Sequence, residues 1–138
     1  MLLVVITCAG VSACQSPQDR SYLDAVNRHN PTLKARIDTT TAACKDAPSP
    51  ACATAARDAK AEADAYLGDL KGQTAPSCIA DADAKLRAGL STFSSALQAL
   101  SDAAAASDVT GGNTALDSLQ KGIDAYNGAV DSANKASC

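Results

Sequence analysis

The stretch IADADAKLRAGLSTFSSALQALSDAA, residues 79–104, decides the fold class. Within it Ile79, Ala82, Leu86, Leu90, Phe93, Leu97, Leu100 and Ala104 recur at steps of three and four, with Asp, Lys, Arg, Gln and Ser between them. That spacing places one apolar stripe along an amphipathic helix. Three further stretches repeat it: Tyr22, Val26, His29, Leu33, Ile37, Thr40 and Cys44; then Cys52, Ala56, Ala59, Ala63, Tyr66 and Leu70; then Leu116, Leu119, Ile123, Tyr126, Val130 and Ala133. Alanine is the commonest residue while Val, Ile and Thr are sparse, a composition that favours helix over sheet.

Between the stripes lie turn signals. Asp46-Ala47-Pro48-Ser49-Pro50 closes the first helix, with Ser49 as a cap and Pro50 at the first position of the second helix. Thr74-Ala75-Pro76-Ser77 makes the next turn with Ser77 as cap, and Ser107 to Asn113 the last, with Asn113 capping the fourth helix. The expected helices span about 19–46, 50–71, 77–107 and 113–136, in a domain covering 19–138. Pro31 falls inside the first helix and is expected to kink it, because the stripe passes through in phase. Three short connections imply antiparallel neighbours, hence an all-α, up-down-up-down four-helix bundle.

The N-terminus carries an address. Residues 1–13 form a short uncharged apolar run, too brief for a membrane span of about 20 residues. It ends in Val11-Ser12-Ala13-Cys14, which resembles the lipobox of bacterial lipoproteins. The resemblance covers these first 14 residues. It implies that 1–13 is a signal peptide, that Cys14 is acylated and seats the chain in a lipid bilayer, and that residues 14–18 form a short tether. The address would be the bacterial cell envelope, on the outer membrane facing the periplasm in a Gram-negative cell. Cleavage after Ala13 by an ordinary signal peptidase is the alternative.

Cysteine parity follows from that address. Of six cysteines, Cys8 leaves with the signal and Cys14 is acylated, so Cys44, Cys52, Cys78 and Cys138 remain for an oxidising compartment. Bundle ends select Cys44–Cys52 and Cys78–Cys138, since the other pairings would join ends about 30 Å apart, well beyond the reach of about 4.4–6.8 Å between the Cα atoms of a bridge.

Chemical motifs are scarce. A Cys-x-x-Cys-His haem motif is absent, the sole Met is Met1, and His29 and Glu62 are the only residues of their types, too few for a di-iron bundle. No cofactor, metal or catalytic residue is therefore expected. The net charge of -3, scattered basic residues and few aromatics argue against nucleic acid. Asp58 and Glu62, with Arg57 and Lys60, read as an outer face of the second helix, and Asp83–Arg87 as a pair at i, i+4. His29 sits on the apolar stripe and reads as a structural histidine bonded to a carbonyl freed by Pro31.

What remains is an interaction role. If Cys14 is held at the membrane, the connections at the far end converge there, and Pro48, Ser49, Pro50, Asp108, Thr110, Gly111 and Gly112 form a candidate distal tip for a protein partner. The expected function is a non-catalytic structural or protein-interaction lipoprotein. A periplasmic inhibitor, such as a toxin-immunity or phage-exclusion protein, is the alternative, and a small-ligand carrier a lesser one.

Overall fold

A computed structural model describes residues 16–45 and 48–136. Among the described residues the chain is all-helical, without strands: α1 (Pro17–Cys44), α2 (Pro50–Lys71), a 3-10 turn over Ser77–Ile79, α3 (Ala80–Ala105) and α4 (Val109–Lys135). None of these helices is long and apolar enough to cross a membrane.

Each helix start has a local cause. Ser16 caps α1 by accepting the Asp19 amide at 3.0 Å, and Pro17 follows at a position where its missing N–H costs nothing. The helix thus begins two residues before the expected 19 and takes Pro17 and Gln18 out of the expected tether. It runs uninterrupted through Pro31 to Cys44. Ser49 caps α2 through the Cys52 amide at 3.1 Å, ahead of Pro50, and Gly72 closes it. Ser77 does not cap the third helix. The chain enters α3 through 3-10 bonding instead, with the Ile79 amide on the Pro76 carbonyl at 2.9 Å.

The α3–α4 corner is tighter than the sequence suggests. The expected boundaries at 107 and 113 give way to a connection of three residues, Ala106 to Asp108. Ser107 takes φ 55°, and the Ser107 and Asp108 amides bond back to the carbonyls of Ala104 (3.3 Å) and Ala103 (2.8 Å). These two bonds form a Schellman stop, normally built on glycine. Asp108 then caps α4 by accepting the Gly111 amide at 3.0 Å, so Asp108 and not Asn113 starts the last helix.

The four stripes make the core. Every residue of them is buried except Leu116, which is half-buried. Paired helices meet in opposite numerical order. Along α1 and α2, Arg28 meets Asp69, Arg36 meets Asp58, Thr40 meets Ala55, and Cys44 is bridged to Cys52. Between α2 and α3, Leu70 meets Arg87, Asp64 meets Ser94, and Ala53 meets Ser101.

Two packing regimes coexist. Small residues bring α3 and α4 into backbone contact: a Cβ on Gly89 would lie 3.2 Å from the Tyr126 amide nitrogen, and one on Gly122 3.4 Å from that of Phe93. Phe93 and Tyr126 pack edge to face there, centroids 6.1 Å apart. By contrast α1 brings Tyr, Val, Leu and Ile to the core and reaches α3 and α4 through long side chains. The Tyr22 hydroxyl donates to Asp83 at 2.8 Å, and the Tyr126 hydroxyl donates to Asn30.

Candidate functional site

Two places concentrate chemistry, and they lie toward opposite ends of the helices. At the Cys44–Cys52 end, the bridge (Cα–Cα 4.7 Å) ties α1 to α2. Beside it Pro48 approaches α4, where a Cβ on Gly112 would sit 3.9 Å from the Pro48 ring. Between them is a pocket of about 110 Å³ lined by the bridge, Pro48, Leu100, Val109, Gly112, Asn113 and Leu116. Val109 is 58% exposed, a large apolar side chain left in solvent on the pocket's rim.

Of the tip residues named from sequence, Pro48 and Ser49 are half-buried, Pro50, Asp108 and Thr110 exposed, Gly111 half-buried and Gly112 buried. Thr110, Gly111 and Gly112 belong to the first turn of α4 rather than to a loop. A Cβ on Gly111 would meet the Asp108 carboxylate that caps the helix, so a larger residue there makes that side chain shift. Val109 opens α4, where the sequence predicts a loop over 107–113 in which an exposed valine carries no signal. Cys14 and Cys138 lie outside the described residues.

The second place is a polar seam between α1 and α2 that the sequence reading missed. His29 is buried and uses both ring nitrogens: Nδ1 lies 2.7 Å from Glu62 Oε1 and Nε2 2.9 Å from Asp69 Oδ2. Its ring stacks on Tyr66, centroids 4.8 Å apart and planes 13° off parallel. Arg28 donates to the same Asp69 oxygen at 2.6 Å. Glu62 therefore does not belong to a solvated outer face, and His29 does not serve a carbonyl freed by Pro31. The carboxylates lie nearby and are stronger acceptors. Asp58, further along, pairs across the seam with Arg36 at 3.4 Å.

Deeper in, Asn30 Oδ1 accepts the hydroxyls of Tyr66 (3.0 Å) and Tyr126, while its Nδ2 is buried without a hydrogen-bond partner. Tyr22, Tyr66 and Tyr126 all have raised pKa values, mainly through burial; Tyr126 is pushed up to about 12. They therefore act as neutral donors. Asp83 adds to the shift at Tyr22. It also pairs with Arg87 at 2.8 Å, and Arg87 in turn caps the end of α2 through the carbonyls of Leu70 (2.7 Å) and Gln73 (3.1 Å).

This seam is built for binding helix to helix. Both nitrogens of His29 already face carboxylates, so neither is directed at a hydroxyl or thiol as a triad would require. Among the described residues no group of three or more His, Cys, Asp and Glu side chains is arranged to hold a metal ion. Two interior cavities, one beside Tyr22 and Tyr66 and one beside Asn30 and Tyr126, measure about 10 Å³ each. No family model, curated protein or solved structure matches this chain.

Proposed function

We propose that this protein is a lipid-anchored, non-catalytic interaction module of the bacterial envelope, held at Cys14 and presenting the Cys44–Cys52 end to a protein partner. The observation that carries the reading is the tip itself: an exposed Val109 beside a pocket of about 110 Å³, on a corner braced by a disulfide and a Schellman stop. An apolar side chain on the rim of a pocket, on a rigid end, suits recognition of a partner's apolar anchor. The cavities beside Tyr22 and Asn30, at about 10 Å³ each, have room for about one water and none for a larger ligand, and the wide groove of about 920 Å³ along α3 and α4 lies open at the surface.

The finer architecture belongs to the same proposal. The opposite numerical order of contacts in α1–α2 and α2–α3 supports an up-down-up-down bundle. Ile79 and Ala133 line one interior cavity, so the start of α3 and the end of α4 lie together, which supports a second bridge between Cys78 and Cys138. Since α1 starts at Pro17, only Gln15 and Ser16 separate an acylated Cys14 from the helix. The tip would then stand one bundle length, about 40 Å for a helix of this size, from the membrane.

The test combines three measurements in the native host. Mass spectrometry of the mature N-terminus should find acylated Cys14, and non-reducing peptide mapping should find Cys78 joined to Cys138; an intact Met1 terminus would overturn the anchor. A photocrosslinker at Val109 should capture one discrete partner while the same group at exposed Asp117 does not. Equal labelling from both positions would overturn the tip as the contact.

A further inference from the structure

His29 is the chain's one histidine and Glu62 its one glutamate, and they meet across the α1–α2 seam at 2.7 Å. A neutral imidazole has one N–H and one lone pair. An imidazole with carboxylate oxygens at 2.7 and 2.9 Å on its two nitrogens must donate twice, which only the imidazolium can do. We infer that His29 is a proton-operated latch, in which the imidazolium clamps Glu62 and Asp69 of α2 to α1 and loss of its proton releases the Asp69 arm.

Charge balance points the same way. From α1 the seam receives His29 and Arg28; from α2 it receives Glu62 and Asp69, with Tyr66 stacked on the ring. Two cations thus meet two carboxylates when the ring is protonated, and one carboxylate is left over when it is not. On α3 and α4, the titratable groups joined to the same tyrosine and asparagine cluster have partners of their own. Asp83 binds Tyr22 and Arg87, and Tyr126 binds Asn30 as a neutral donor. Neither supplies a replacement cation.

The two arms of the latch are unequal. The Glu62 side chain is 18% exposed and that of Asp69 46%. A neutral ring keeps its remaining proton on Nδ1, since the enclosed Glu62 has less water to turn to. Asp69 can swing into solvent and retain Arg28. Opening therefore starts on the Asp69 side, in the last turn of α2, at the end of the bundle away from the Cys44–Cys52 bridge.

The sign of the pH effect follows from linkage. If the folded chain holds a proton that the unfolded chain gives up, raising the pH favours unfolding. The test is urea denaturation of the full-length chain at pH 6 and pH 8.5, for the wild type, for His29→Gln and for Glu62→Gln. The wild-type folding constant should fall at least tenfold between the two pH values. The fall should shrink below threefold in His29→Gln, and also in Glu62→Gln, where the ring no longer faces two carboxylates. A wild-type constant unchanged across this range, or a His29→Gln variant that keeps the full fall, would overturn the latch. Nitrogen-15 spectra of the wild-type imidazole supply a readout that needs no variant to fold. Protons on both nitrogens at pH 6 and on Nδ1 alone once the ring is neutral are expected, and a proton on Nε2 alone in the neutral ring would overturn the assigned order of release.

Discussion

Replacing Gly89 by alanine should destabilise the protein, although the same change at Gly68 should stabilise it. Both glycines lie inside helices, where alanine is favoured by about 0.5–1 kcal/mol. At Gly68 nothing lies within 4 Å of the new Cβ, so that gain is realised in full. At Gly89 the Cβ would meet the Tyr126 amide nitrogen at 3.2 Å, its Cα at 3.5 Å and the Ala125 carbonyl carbon at 3.6 Å. All three are backbone atoms of α4, so relief requires a helix to move rather than a side chain to turn. Overpacking of this kind costs about 1–3 kcal/mol, which leaves a net loss of about 1 kcal/mol after the helical gain. The two variants should thus differ by about 2 kcal/mol, or about thirtyfold in folding constant. Urea denaturation followed by far-ultraviolet circular dichroism measures it, with an unchanged slope showing that the compactness of both states is preserved. A Gly89→Ala protein as stable as the wild type would refute the reasoning, because α3 and α4 would then have room to separate at no cost.

Three further outcomes follow from single contacts. Asp108→Ala removes the cap of α4 at the Gly111 amide and should lower stability by about 1 kcal/mol in the same assay. Asn30→Leu orphans two buried tyrosine hydroxyls, Tyr66 and Tyr126, and removes one orphan, the Asn30 Nδ2, so it should cost a net of about 1–2 kcal/mol; Tyr66→Phe in that background should recover part of the loss. The Asp69 carboxyl is held below its ordinary pKa, first by the hydrogen bond to His29 and then by Arg28. A depressed carboxyl stabilises the fold above the ordinary aspartate value and loses that contribution as the pH falls through the lowered one. An acid titration of stability should therefore fall below about pH 4, and Asp69→Asn should flatten that limb.

The helices were legible because their cause is local. Stripes at steps of three and four, Ser49 before Pro50, and Gly72 after Lys71 each state an instruction that a few neighbouring residues can carry out, and α2 spans Pro50–Lys71 as read. The Cys44–Cys52 bridge was legible for the same reason, eight residues apart across one turn. The α3–α4 corner was not. The sequence predicts a turn over Ser107–Asn113 with Asn113 as cap, yet the residue that takes positive φ is Ser107, and Gly111 and Gly112 lie in the first turn of α4. Both a stop and a start had to be built within three residues. The cost of serine at positive φ and of two glycines in a first turn is set against five hydrogen bonds at that corner, none of which a propensity scale can weigh.

The seam was hidden for a different reason: its meaning depends on which helix faces which. Asp58, Glu62 and Asp69 follow each other at four and then seven residues along the edge of α2's alanine stripe, and Arg28, His29 and Arg36 lie along α1. Read alone, Asp58 and Glu62 belong to a solvated face and His29 to an apolar stripe. Only when the helices run in opposite order does Arg36 meet Asp58, His29 meet Glu62, and Arg28 meet Asp69. The alanines that make α2 a poor source of apolar area lie fully buried beside these carboxylates, and small side chains there leave room for the carboxylates to reach across. A row of leucines at Ala59 and Ala63 would bury more area at about 25 cal/mol per Å², and would hold Glu62 and Asp69 away from His29. The bundle thus adds a row of charge pairs to the apolar and disulfide contacts of its first helix, where α3 and α4 meet through close contact of small residues. A chain so assembled has its pH response in α1 and α2 and its steric limit in α3 and α4.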